Sequence, residues 1–149
     1  MPDRITNEEF YRTYDPSAYQ NPAVAVDAVL VDREMRVCLK ERQNPPEHLK
    51  LALPGVFMKE DETPPDAVKR AIGRAVPEVD LGKVEPKLMG VFGKRGRDLR
   101  SHVLSITYLV PVASVHPDWA LMETAAGEDL AFDHRSILLA AMTYLCEHI

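Results

Sequence analysis

Apolar residues recur in two rhythms along this chain. The run Ala23-Val24-Ala25-Val26-Asp27-Ala28-Val29-Leu30-Val31 is nearly continuous, small and β-branched, as a strand buried on both faces requires; Asp27 interrupts it. Asp32-Arg33-Glu34 reads as a turn and Met35 to Lys40 as a second strand, so the two form a hairpin. Paired prolines and Asn44 make residues 43–47 a loop. Leu51 to Met58 reads as a short strand, a Pro54-Gly55 turn and another extended piece.

A helical rhythm follows. Thr63 can cap, Pro64 suits the first helical position and Asp66 completes a T-x-x-D capping box. Ala67, Val68, Ala71, Ile72, Ala75 and Val76 then form one apolar stripe, and Pro77 ends the helix. Packing on a sheet is expected through Val68, Ala71, Ile72 and Ala75. Lys87 to Gly93 and His102 to Val112 read as strands flanking a basic loop, and residues 117–127 as irregular. Asp133 is the expected cap of a last helix that buries Ile137, Leu138, Ala141, Met142 and Leu145. The segment up to Pro22 is polar and aromatic, with a short helix near Asn7 to Arg12. No repeat, low-complexity tract or linker divides the chain, so residues 1–149 are read as a single domain with 1–22 as an N-terminal segment. Strands, helix, strands, helix is the order of an α/β fold with a mixed β-sheet between two helical layers.

Composition narrows the function classes. With 46% apolar and 28% charged residues in 149, the chain is an ordinary globular domain with enough length for a full core. No apolar run approaches the ~20 residues of a membrane span. The polar start MPDRITNEEF is not a signal peptide, so a cytoplasmic location with no membrane partner is expected. Two cysteines, Cys38 and Cys146, make no disulfide framework and are expected as buried free thiols. A net charge of −5 argues against a nucleic-acid surface over the whole domain. One stretch opposes that balance, Lys94-Arg95-Gly96-Arg97-Asp98-Leu99-Arg100. The five histidines show no H-x-x-x-H spacing, and the loop at Gly93 to Gly96 lacks the G-x-x-x-x-G-K-[ST] of a phosphate-binding P-loop.

The stretch Leu53 to Glu62 and the helix after it resemble a Nudix box, G-x5-E-x7-R-E-U-x-E-E-x-G-U with U bulky and apolar. Aligned without gaps, Glu62 matches the first glutamate, Arg70 the arginine and Ile72 the apolar position. Val56 stands on the first glycine. Ala71 replaces the glutamate after the arginine, Arg74 and Ala75 replace the glutamate pair, and Pro77 and Glu78 replace the last two positions. Three further fragments are similar to one Nudix subgroup, which holds ADP-ribose pyrophosphatases and the Nudix-related regulators of NAD metabolism. These are Tyr14-Asp15-Pro16-Ser17-Ala18-Tyr19 with Val24-Ala25-Val26-Asp27, the loop Arg97-Asp98-Leu99-Arg100 (an R-D-P-R in the subgroup), and Leu130-Ala131-Phe132-Asp133-His134.

The resemblance implies a Nudix α/β/α sandwich. It also implies a cleft for an ADP-ribose-like nucleotide derivative. A Nudix hydrolase holds Mg²⁺ on its helix glutamates, which neutralises the diphosphate and activates water. Alanine cannot ligate and Arg74 repels a cation, so Ala71, Arg74 and Ala75 leave no catalytic residue and no metal site. The retained Glu62 and Arg70 are expected as a structural contact. Arg42, Arg74, Arg97 and Arg100 are the expected ligand-binding residues, with guanidinium in place of metal. The opposing expectation is that all four are solvated or paired with Glu60, Asp61 and Asp98.

Three functions are consistent with this pattern. The first is a sensor or regulatory module that has lost catalysis and needs no cofactor. The second is an active hydrolase with unusual ligands, for which Glu60 or Asp61 are the candidates, requiring Mg²⁺. The third is a dimerisation scaffold without a ligand. Subgroup relatives are commonly homodimers, and the tyrosine-rich segment before Pro22 is the expected contact. Subgroup regulators carry a winged-helix region after the Nudix domain; no such nucleic-acid element is visible up to Ile149.

Overall fold

The computed structural model describes residues 4–19 and 21–148. In chain order the elements are α1 (Asn7–Thr13), β1 (Ala23–Val31), β2 (Arg36–Val37), β3 (Lys40–Glu41), β4 (Leu51–Ala52), β5 (Gly55–Phe57), α2 (Pro64–Ala75), β6 (Lys87–Phe92), β7 (Val103–Pro111), β8 (Ala120–Leu121), α3 (Met122–Ala125) and α4 (His134–His148). The sheet runs β6-β7-β1-β2-β8, with β5 also paired to β1. β1 and β7 lie parallel over their full length, from Ala23 opposite Val103 to Val31 opposite Pro111, while β6, β5 and β2 run antiparallel to their neighbours. The sheet is therefore mixed, as the sequence pattern predicts.

Strand alternation builds two cores from one strand. Val26, Ala28 and Leu30 of β1 point to one face, where they pack with Ala67, Val68, Ala71 and Ile72 of α2. Val29 and Val31 point to the other, against Ile137, Leu138 and Ala141 of α4. Each fully buried aliphatic side chain contributes about 1.5–3 kcal/mol, so neither face of β1 can be left open. The predicted helix is α2, with its Thr63–Asp66 capping box formed and Val76 as the residue that closes it. Ala75 is half-buried, at the edge of the contact.

The structure departs from the sequence pattern in four places. The expected strand from Met35 to Lys40 is split: β2 stays on β1, and the chain then peels away so that β3 pairs with β4 in a separate two-stranded sheet. The segment read as irregular contains β8 and α3; β8 pairs with β2, and Met122 of α3 is anchored in the core. Cys38 is buried, but Cys146 is exposed because it falls off the Ile137–Leu138–Ala141 stripe of α4. The carboxylate of Asp133 binds Arg97 rather than serving as the cap of α4.

α2 is tied to the strand before it by an ion pair. Arg70 Nε meets Glu62 Oε2 at 2.8 Å, and Arg70 Nη2 donates to Glu62 Oε1 at 2.9 Å and to the Phe57 carbonyl at 2.8 Å. The Lys59 amide also donates to Glu62, at 2.8 Å. The hydrogen bonds from Arg70 hold the Glu62 carboxyl at about 2 against an ordinary 4.5. A depressed carboxylate pKa stabilises the fold above the unfolded value, and that contribution is lost as pH falls toward the folded one. Arg70→Gln should therefore melt below the native chain at pH 7, with the deficit shrinking between pH 4.5 and about 2. Melts of both proteins at pH 7 and pH 3 test this; an equal deficit at the two values contradicts it.

Candidate ligand-binding cleft

β1, the entry to β5, α2, the β6–β7 loop and the start of α4 surround one cleft of about 400 Å³. Its wall is cationic in a chain of net charge −5: Arg42, Lys59, Arg70, Arg74, Arg97 and Arg100 all line it. Arg42 follows β3, Lys59 follows β5, Arg70 and Arg74 lie one turn apart on α2, and Arg97 and Arg100 belong to the loop between β6 and β7. All four arginines expected to meet a ligand thus converge on one space. Lys59 joins them, a residue the sequence pattern did not single out.

Three of the six are fixed by a carboxylate. Arg97 makes a two-pronged pair with Asp133, Nε to Oδ2 at 3.0 Å and Nη2 to Oδ1 at 2.7 Å, and its side chain is only 4% exposed. A guanidinium buried that deeply requires such a partner, which explains why Asp133 is not free to cap α4. Arg100 grips Asp98 at 2.7 Å, and its hydrogen bonds hold the Asp98 carboxyl below the usual carboxylate range. Arg70 holds Glu62 as described. Of the opposing pairings, then, only Arg100 with Asp98 forms; Glu60 and Asp61 pair with none of the four among the described residues.

The other cations are differently placed. Arg42 donates from Nε to the Pro46 carbonyl at 2.7 Å and lies 4.9 Å over the Phe132 ring. Arg100 lies 5.5 Å from the same ring and 4.9 Å over Phe57. Cation–π contacts of this kind stiffen a guanidinium without neutralising it. Phe132 adopts a φ of 53°, the left-handed region that aromatic residues rarely enter. Arg74 is exposed toward the cleft, and neither it nor Lys59 has a carboxylate partner among the described residues.

A buried polar group forms the floor. Asp27 stands on the α4 side of β1, 5% exposed, where the Ser105 hydroxyl donates to its Oδ2; Ser105 and Thr107 are 2.9 Å apart. His134 opens α4, and its Nδ1 accepts the Leu53 amide at 2.9 Å. Its Nε2 lies 3.8 Å from Asp27 Oδ1. Burial pushes His134 below the ordinary imidazole value, so the ring is neutral, and with Nδ1 accepting, its proton sits on Nε2. Asp27, Phe132 and His134 were not picked out as site residues from sequence. A lone carboxylate in an otherwise apolar buried strand was the signal for Asp27.

The helix positions that would carry metal-binding carboxylates hold Ala71, Arg74 and Ala75. Among the described residues no group of three or more His, Cys, Asp or Glu side chains is placed to hold a cation. This donor set does not fit a divalent metal at the helix, where the local charge is already positive.

Comparison with known proteins places the chain. No family model matches it. It is 34% identical over 134 residues to an ADP-ribose pyrophosphatase of Methanocaldococcus jannaschii, covering 80% of this chain and 73% of that protein. It is 26% identical over 153 residues to an ADPR-responsive transcriptional repressor, NtrR, of Acinetobacter baylyi, covering 94% of this chain but 61% of the repressor. Among solved structures it is similar to the Nudix domain of Shewanella oneidensis NrtR complexed with ADP ribose, at a TM-score of 0.77 and 26% identity, covering 95% of this chain and 99% of that one. With this identity, this fold and the box fragments in their expected order, the chain belongs to the Nudix family.

Proposed function

We propose that this chain is a catalytically degenerate Nudix domain that binds an ADP-ribose-like nucleoside diphosphate derivative and acts as a sensor or regulatory module. The observation that carries the reading is Arg74. It stands on the cleft side of α2, without a carboxylate partner among the described residues, in the stretch where a hydrolase holds its metal. A diphosphate brought into a cleft needs positive charge opposite it. Arg42, Lys59 and Arg74 supply that charge from three separate segments of the chain, and guanidinium binds phosphate oxygens in pairs. None of these groups lowers the pKa of a water molecule as a bound metal does, so they hold a diphosphate without cleaving it. ADP-ribose appears in the names of both curated relatives and of the solved complex, which supports this ligand class.

The 34% identity to a pyrophosphatase favours a second reading, an active hydrolase. Turnover of ADP-ribose that stops when a chelator is added would establish it. Under the sensor reading, ADP-ribose in the presence of a chelator stabilises the fold. At a hundredfold excess over Kd the gain is about 2.7 kcal/mol, or a shift of roughly 5–10 °C for a domain of this size. Arg74→Glu should abolish the shift while leaving the unliganded Tm close to that of the native chain, since Arg74 is exposed. Absence of a shift in the native chain, or an equal shift in Arg74→Glu, refutes the reading.

The same module is proposed to be a homodimer. Every described residue from Arg4 to Tyr19 is exposed, and no residue of α1 is buried. Phe10 meets Tyr11 and Tyr14, and Tyr14 meets Tyr19, with ring centroids 5.8, 5.6 and 6.2 Å apart, all within this segment. This aromatic surface finds no cover among the described residues of its own domain. Light scattering at micromolar concentration should give twice the chain mass, and deletion of residues 1–19 should give the chain mass; a monomeric native chain rules the dimer out.

A further inference from the structure

The cleft floor holds a donor and an acceptor that face the same point. The acceptor is Asp27 Oδ1. Its sister oxygen is occupied by Ser105, but Oδ1 takes no hydrogen bond from any described residue. The donor is His134 Nε2, which carries the ring proton because Nδ1 is committed to the Leu53 amide. The two atoms are 3.8 Å apart, too far to bond each other, and both residues line the cleft. At that separation a single oxygen placed about 2.8 Å from each would bond both. That oxygen must donate one hydrogen bond and accept another, as a hydroxyl does and a phosphate oxygen does not.

The position of the acceptor depends on Gly55. A Cβ at this position would overlap the Asp27 carboxylate, so the carboxylate can lie against β5 only because the residue is glycine. The backbone around the pair is fixed as well: the Ala28 amide donates to the Pro54 carbonyl at 2.8 Å, and the Leu53 amide donates to His134. The seat is therefore held from two sides before any ligand arrives. Its sign also differs from the rest of the cleft. A carboxylate among arginines repels the diphosphate but suits a neutral donor group.

We propose that Asp27 and His134 form a hydroxyl-recognition subsite for the sugar attached to the diphosphate. The subsite selects sugar-bearing ligands over bare phosphates. It rests on the anion-cleft reading above, because the phosphates must already lie against the arginines for a sugar hydroxyl to reach the floor.

The test compares ligands that differ only by the sugar. Calorimetry of the native chain with ribose 5-phosphate and with inorganic phosphate should show the sugar ligand binding about tenfold tighter, the worth of a well-placed hydrogen bond to a charged group. Asp27→Asn keeps the shape and can still accept from Ser105, but it replaces a carboxylate acceptor by an amide. The sugar advantage should fall to about twofold or less, while inorganic phosphate binds as tightly as before or more tightly, since a negative charge has been removed. A structural defect would weaken both ligands together, and that outcome refutes the proposal. An unchanged advantage in Asp27→Asn also refutes it. Should that variant fail to fold, the native chain decides alone: equal affinity for the two ligands overturns the subsite while leaving the anion cleft standing. If the native chain binds neither ligand nor ADP-ribose, the anion cleft itself falls, and the subsite with it. A loss for ADP-ribose in Asp27→Asn without a change in the ribose 5-phosphate advantage would mean that the base, not the sugar, meets Asp27, and would overturn the assignment.

Discussion

Like charges gathered in a small space repel, and most of the cleft's construction answers that constraint. Six cationic side chains share about 400 Å³. Arg70, Arg97 and Arg100 are each given a carboxylate of their own, so their charge is balanced locally and their geometry is fixed. These pairs hold α2 against the segment that follows β5, the β6–β7 loop against the start of α4, and the turn from Asp98 to Arg100 within that loop. Arg42 is held by a backbone carbonyl and an aromatic face, neither of which cancels its charge. Lys59 and Arg74 are left uncompensated among the described residues. The positive field that remains is an arrangement that a dianionic group would relieve.

On the proposed reading, Ala71 and Ala75 take the place of metal-binding carboxylates, and the anion is left to the cationic side chains that line the cleft. Arg74 adds positive charge on the helix itself, although not the chemistry of a metal-bound water. The paired arginines and the left-handed Phe132 brace the same wall. Net charge over the whole chain gives no hint of this, because the acidic residues lie mostly outside the cleft.

Local signals read well from the sequence. The capping box at Thr63 and Asp66, the apolar stripe of α2 and the β-branched run of β1 depend on neighbours a few residues away, and all stand as expected. Two-residue strands such as β8 and β3 were not legible, because their extent is set by a partner elsewhere in the chain. Asp133 was misread for a similar reason: its position favours a cap, but Arg97, 36 residues earlier, needs its carboxylate more. Arg74 was singled out through the box, Arg97 and Arg100 through the R-D-L-R loop and Arg42 by its place after the second strand, and all four line the cleft. The floor was not found, since Asp27 meets Ser105 across 78 residues and Leu53 meets His134 across 81. Spacing in sequence carries no trace of contacts at that range.

The central claim is that guanidinium and ammonium groups do here what a divalent ion does in a hydrolase. Titration calorimetry of the native chain with ADP-ribose, once with Mg²⁺ and once with a chelator, bears on it most directly. The same Kd within about twofold in both, with the ADP-ribose recovered intact, is the predicted result. Binding that appears only with Mg²⁺, or ADP-ribose recovered as cleaved products, would contradict it.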